Sequence, residues 1–351
     1  MIKVLLVEDS LVAMTLLKKL LNSSPDLKVV GCARTGVEAL EMIPKLNPDV
    51  ICTDLHMPQM NGLELTSEVM ARYPRPILVI SASVQDDDPQ HVFNLLEAGA
   101  IDILPKPRGG QPSDYDLIKQ PLINKIKVLS GVKVFSKNRK YSSPLPEKKV
   151  TETTHFTPSS FIKSNVKIVA IGASTGGPQA LQEILSQLPA TFPVPIICVQ
   201  HISEGFLQGL VDWLTTACKL SVKIAQPGVS PQVGNIYFPP EGQHLELDTS
   251  GQFLCSNAPP LGGHRPSITV TFKSVARFYR SSAIGVLLTG MGKDGAEGMA
   301  AIASSGGFTI AQDQASCVVF GMPKEAIALG AAKEILPLKA IAPLLLKKSS
   351  Q

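Results

Sequence analysis

No apolar run in this chain approaches the roughly 18 residues that a membrane-spanning helix needs. The opening Met-Ile-Lys-Val-Leu-Leu-Val-Glu-Asp has too short an apolar run, and meets acids too soon, to read as a secretory leader; a cytoplasmic protein without membrane insertion is expected. Aromatics make up only 5% of the residues, with a single tryptophan. The six cysteines, at 32, 52, 198, 218, 255 and 317, contain no Cys-x-x-Cys pair, which argues against a zinc knuckle or disulfide framework and for buried thiols. Nucleotide loops are missing as well. The glycine-rich stretch Gly172-Ala173-Ser174-Thr175-Gly176-Gly177-Pro178 has Ser174 where a dinucleotide fingerprint needs its middle glycine, and it lacks the Gly-Lys-Ser/Thr of a P-loop. Internal repeats and low-complexity tracts are absent too.

At 351 residues, 44% hydrophobic and 18% charged, the chain has the makings of two soluble domains. Its net charge of +4 is unevenly spread: 9 basic against 14 acidic residues in 1–106, 11 against 4 in 107–165, and 13 against 11 in 166–351. The middle segment carries Lys125, Lys127, Lys133, Lys137, Arg139 and Lys140 among Pro, Ser and Gly, with few aromatics, and reads as a solvated tether rather than a nucleic-acid surface. On either side of it, short apolar runs alternate with amphipathic ones. Such alternation predicts parallel sheets with helices on both faces, hence an α/β protein with two doubly wound domains. The expected boundaries are 1–122, a basic linker over 123–165, and 166–348.

In the first domain Glu8 and Asp9 follow the first strand and Asp54 the third. Converging carboxylates repel one another unless a cation fills the cluster, and hard oxygen ligands in an open site suit Mg²⁺. Ser81 and Lys106 stand at later strand ends. These five positions, with Met57-Pro58-Gln59-Met60-Asn61-Gly62, resemble the response-regulator receiver domain, which is flavodoxin-like. The resemblance implies that Asp54 accepts a phosphoryl group from a sensor histidine kinase. It also implies that Glu8, Asp9, Asp54 and the His56 carbonyl hold Mg²⁺, and that Ser81 and Lys106 contact the phosphoryl oxygens. Ile103 stands where receivers often carry a switching aromatic.

In the second domain Ser174 breaks an apolar strand at a glycine turn before Pro178. Two readings stand: a cap on the following helix, or a nucleophile at a strand end facing free backbone N–H groups. His201 ends the strand run 195–200, and Asp294 lies in the turn Gly290-Met291-Gly292-Lys293-Asp294-Gly295 after a third apolar run. Serine nucleophiles need a base and a group that orients it, and these three residues meet that requirement. Gly172 to Gly176 matches G-x-S-x-G, but the α/β-hydrolase order places the acid before the histidine, and here it follows.

The strings Ile171 to Pro178, Val199-Gln200-His201, His264-Arg265-Pro266-Ser267, Leu288 to Gly295 and Ala315 to Pro323 resemble the CheB family of chemotaxis protein-glutamate methylesterases. That family implies a Rossmann-like esterase domain with Ser174, His201 and Asp294 as catalytic triad and the backbone N–H groups of Thr175 and Met291 as oxyanion hole. It implies demethylation of glutamate γ-methyl esters and deamidation of glutamines on methyl-accepting chemotaxis receptors, without a cofactor for hydrolysis. A receiver that covers the cleft until phosphorylated completes the family's architecture. Thr269 departs from the acid many relatives carry, and His264 and Arg265 are open between a structural turn and substrate contact. A DNA-binding regulator or an inert scaffold would leave Ser174, His201 and Asp294 without a role; no nucleic-acid partner is expected.

Overall fold

A computed structural model describes residues 1–81, 89–106, 112–134 and 165–349. Lys137, Arg139, Lys140 and most of the expected linker lie outside these residues.

The amino-terminal sheet is parallel, in the order β2-β1-β3-β4-β5, from β1 (Ile2–Val7), β2 (Leu27–Ala33), β3 (Val50–Thr53), β4 (Ile77–Ser81) and β5 (Asp102–Pro105). Strand alternation divides β1 between two apolar layers. Val4 and Leu6 pack under α1 (Leu11–Asn22) and α5 (Pro112–Leu129), whereas Leu5 and Val7 pack under α2 (Gly36–Leu46), α3 (Gly62–Arg72) and α4 (Pro89–Ala98). Local chemistry starts these helices. Ser10 caps α1, Thr35 caps α2, and Asn61 with Glu64 forms a capping box on α3. Helix α5 continues to Leu129, so the boundary expected at 122 falls inside a helix. Its Leu122, Ile123, Ile126 and Leu129 are buried, so the apolar face holds it on the sheet past that point.

The second sheet has seven parallel strands, in the order β14-β13-β12-β6-β7-β9-β8. Its strands are β6 (Ile168–Ala173), β7 (Ile196–Gln200), β8 (Ser221–Ile224), β9 (Asn235–Phe238), β12 (Ala283–Leu287), β13 (Phe308–Gln312) and β14 (Glu334–Leu336). A hairpin of β10 (His244–Leu247) and β11 (Phe253–Ser256) stands apart. Helices α6 (Gly177–Leu185), α7 (Leu207–Ala217) and α11 (Leu338–Ser349) pack against one apolar layer, and α8 (Ile268–Tyr279), α9 (Ala296–Ser304) and α10 (Met322–Ala328) against the other. The three strands β12, β6 and β7 are neighbours, so the residues following them emerge at one edge of the sheet.

The two domains meet through α4 on α7 and α6. Phe93 stacks on Trp213 with ring centroids 5.6 Å apart, the Trp213 Nε1 donates to Glu97 (3.0 Å), and Gln182 donates to the same carboxylate oxygen (3.1 Å). Gln179, in the first turn of α6, donates to the Ala100 carbonyl (2.8 Å). Val318, which touches the Gly176 turn, also packs against the receiver's apolar layer.

Candidate active site

Ser174 follows β6 directly. Its N–H donates to the Thr289 carbonyl (3.0 Å), and its carbonyl accepts from Gly177 N–H (2.7 Å). The N-cap of α6 is Gly176, in the left-handed region at φ 74°, with no side-chain cap. Ser174 therefore does not cap the helix, and its half-buried hydroxyl is left for other work. Gly290 lies against it: a Cβ on Gly290 would stand 2.7 Å from Ser174 Cβ and 2.6 Å from Met322 Cε, so the Gly290–Met291 turn closes on the nucleophile position only because residue 290 has no side chain. Met291 is 43% exposed on the rim.

His201 follows β7, its N–H bonded to the Ala173 carbonyl (3.0 Å). Its Nε2 and Asp294 Oδ2 are 2.9 Å apart. Nδ1 of the same ring is buried and has no hydrogen-bond partner among the described residues. With Nε2–H directed at the carboxylate, the Nδ1 lone pair is the free basic position, one strand from Ser174.

Asp294 is held more thoroughly than the sequence suggests. Besides His201 it accepts from Ser267 Oγ (2.9 Å), Ile268 N–H (2.8 Å), Thr269 N–H (3.0 Å) and Gly295 N–H (2.9 Å). Two of these are orphan donors of the first turn of α8, so the carboxylate lies against the positive end of that helix. Burial alone would raise the pKa of Asp294; the bonds from His201 and Thr269 outweigh it and hold the group well below the usual carboxylate range. Thr269 accepts from Gly295 N–H through Oγ1 (2.7 Å), which ties the Asp294 turn to α8 without placing a second negative charge there.

His264 stacks flat on His201, with centroids 4.0 Å apart and planes inclined by 3°. Burial, then the neighbouring His201, pushes its pKa down to about 4, against the pull of Asp294, so at neutral pH it is an uncharged plate over the other ring. Arg265 donates from Nη1 to the carbonyls of Asn257 (3.1 Å) and Ala258 (3.4 Å), which ties down a loop. The stack, the Ser267 donor and the helix-end cradle all come from residues 264–269, distant in sequence from His201 and Asp294.

In the other domain, one ligand oxygen from each of Glu8, Asp9 and Asp54 lies within 4.8 Å of the others. Lys106 Nζ bridges Glu8 Oε1 (2.7 Å) and Asp54 Oδ2 (2.8 Å), and Lys106 N–H donates to the carbonyl of buried Ser81 (2.6 Å). Burial would lower the Lys106 pKa, but the two carboxylates raise it; Glu8 is raised by burial, in spite of Lys106. His56 is exposed just beyond Asp54, and Ile103 is buried in the apolar layer beneath α4. Glu8, Asp9, Asp54, Ser81 and Lys106 thus share one strand-end pocket.

The chain matches the family model for CheB methylesterase over residues 169–345 and that for the response regulator receiver domain over residues 4–112. It is 41% identical over 347 residues to the protein-glutamate methylesterase/protein-glutamine glutaminase 1 of Syntrophus aciditrophicus, spanning 99% of this chain and 98% of that protein. With the protein-glutamate methylesterase/protein-glutamine glutaminase of Nitrosospira multiformis it shares 40% identity over 344 residues, 97% of this chain and 95% of the other. Among solved structures, the CheB methylesterase catalytic domain of Thermotoga maritima is 40% identical, with a TM-score of 0.51, covering 52% of this chain and 98% of that domain.

Proposed function

Because the chain belongs to the CheB methylesterase family and carries a receiver domain, we propose that Ser174, His201 and Asp294 perform the family's hydrolysis under the control of phosphorylation at Asp54. The activity is that of a protein-glutamate methylesterase and protein-glutamine glutaminase. The observation that carries the residue assignment is the half-buried His201 ring, tied through Nε2 to a carboxylate seated on a helix end and left with a buried, unpartnered Nδ1.

His201 Nδ1 takes the Ser174 hydroxyl proton as Oγ attacks the ester carbonyl of a receptor glutamate methyl ester. Asp294 fixes the tautomer and stabilises the imidazolium that forms. The N–H groups of Thr175, adjoining Ser174, and Met291, adjoining the Gly290 contact, receive the developing oxyanion. His201 then protonates departing methanol, and water cleaves the acyl-enzyme by the same route in reverse. On a glutamine the leaving group is ammonia. His264 offers a neutral surface to the His201 ring.

In the receiver, the three carboxylates form a hard oxygen donor set that fits Mg²⁺; Glu8, Asp9, Asp54 and the His56 carbonyl would hold it. When bound, the ion would neutralise charge on an incoming phosphoryl group. Ser81 and Lys106 take the phosphoryl oxygens, which draws Lys106 from its bridge between Glu8 and Asp54. The phosphodonor is a chemotaxis sensor histidine kinase and the substrate a methylated chemoreceptor. The domain limits we favour place the receiver through α5 and the esterase from 166 to 348, with the contacts of α4 on α6 and α7 as the restraint that phosphorylation relaxes.

Ser174→Ala should abolish methanol release from methylated receptor membranes, and a serine-directed phosphonate should label the unaltered chain once, at Ser174, by intact mass and peptide mapping. Near-normal methanol release by the folded variant refutes the nucleophile assignment.

A further inference from the structure

Strand β7 turns Ile196 and Cys198 toward the layer beneath α6 and α7, and Ile197 and Val199 toward the opposite layer. The alternation places Gln200, its last residue, on the α6 side, where only 4% of it is exposed. A buried amide is costly unless its donors are satisfied. Here a single nitrogen satisfies both: Nε2 donates to the carbonyl of Ser174 (2.9 Å) and to that of His201 (2.8 Å). A side-chain amide nitrogen has two N–H bonds, and both are used.

We infer that Gln200 is a positioning residue that brackets the nucleophile and its base and aims the Thr175 N–H at the oxyanion; this rests on the assignment of Ser174 and His201 above. The sheet's own ladder ends with His201 N–H on the Ala173 carbonyl, one residue short of Ser174. Gln200 supplies the next cross-link. The Ser174 carbonyl belongs to the same planar trans peptide as the Thr175 N–H, so the two groups point in opposite directions. Gln200 Nε2 on one lone pair and Gly177 N–H on the other fix that plane, and bonds to the carbonyl polarise the N–H across it. The amide has one workable orientation. Reversing it would set Oε1 against two carbonyl oxygens; as placed, Oε1 is buried without a hydrogen-bond partner among the described residues and packs on Gly177, where a Cβ would stand 2.0 Å from it.

The test is made on the full chain with phosphodonor and methylated receptor membranes. Gln200→Met fills nearly the same space and donates nothing, so kcat should fall about 10- to 100-fold, the range expected when a reacting group or an oxyanion donor is slightly misplaced, with KM within about twofold. Phosphonate labelling of Ser174 should slow in parallel. Gln200→Glu adds a readout that simple packing would not move. As pH falls, its carboxyl gains an O–H that can donate to one of the two carbonyls, so its kcat relative to the wild type at the same pH should rise. Circular dichroism in the same buffers corrects both variants for folded fraction. A folded Gln200→Met with kcat within twofold of wild type, or a Gln200→Glu ratio that stays flat with pH, overturns the bracket. Methanol release by Ser174→Ala would instead overturn the nucleophile assignment on which it rests.

Discussion

Asp294 illustrates how much of the site depends on atoms that carry no catalytic label. Five donors converge on it, from His201, Ser267, Ile268, Thr269 and Gly295, and four of them come from backbone or a short hydroxyl that cannot drift. A carboxylate so held stays ionised and keeps the His201 ring in one tautomer. His264 contributes on the ring's face, and its depressed pKa has a consequence for stability. The unfolded chain binds a proton on this residue below its ordinary value of 6.5, whereas the folded chain does so only near 4; stability on this account is intact above pH 6.5 and declines as pH falls through that window. Urea melts between pH 7 and 4 should show His264→Phe with a shallower acid loss than wild type. Glu8, raised by burial, acts in the opposite sense, which is why the comparison is made between variants in matched buffers. Parallel curves would mean that His264 is not held uncharged against His201.

Helix α8 shows why part of the site was hidden in the sequence. The run Ile268-Thr269-Val270-Thr271 is β-branched and looks like a strand. Its first turn has no acidic residue of its own; the anion at its positive end is Asp294, 26 residues further along the chain. By contrast β6, β7 and β12 were legible because each is an uninterrupted apolar run buried on both faces, and the strand-end rule then put Ser174 and His201 at one edge. The short strands β8 to β11 offer four residues apiece and no such signal. Gln200 was visible only as a neighbour of His201, since its two bonds span β6 and β7 and depend on the register of the sheet. Ser267→Ala removes the α8 cap and one Asp294 donor together; a stability loss of about 1 kcal/mol is expected from the cap, with a several-fold fall in kcat, checked by thermal unfolding and methanol release. An unchanged kcat would mean that the backbone donors suffice. At the domain contact, Trp213 is the single tryptophan and is 2% exposed against Phe93 and Glu97. Its emission should shift to the red when a phosphodonor is added to wild type and stay fixed in Asp54→Asn; a fixed spectrum in both would mean that α4 does not leave α7.

Across the whole molecule, the receiver meets the second domain close to the Ser174 turn, at the start of β5, while its acidic pocket lies at the strand's far end beside Lys106. Ala100 accepts from Gln179 one turn into α6, and Val318 touches both the Gly176 turn and the receiver's apolar layer. A shift of α4 or of the turn before β5 would thus act five residues from Ser174, through Gln179. Ile103, where receivers often carry a switching aromatic, is buried in the apolar layer under α4 and has no ring to turn outward. A coupling of 1–3 kcal/mol between the two sites corresponds to about 5- to 150-fold in activity. The most direct measurement is methanol release from methylated receptor membranes by wild type and Asp54→Asn, each with and without a small phosphodonor and Mg²⁺. Wild type should rise within that range while Asp54→Asn keeps the basal rate and does not respond; equal stimulation of the two would contradict control through Asp54.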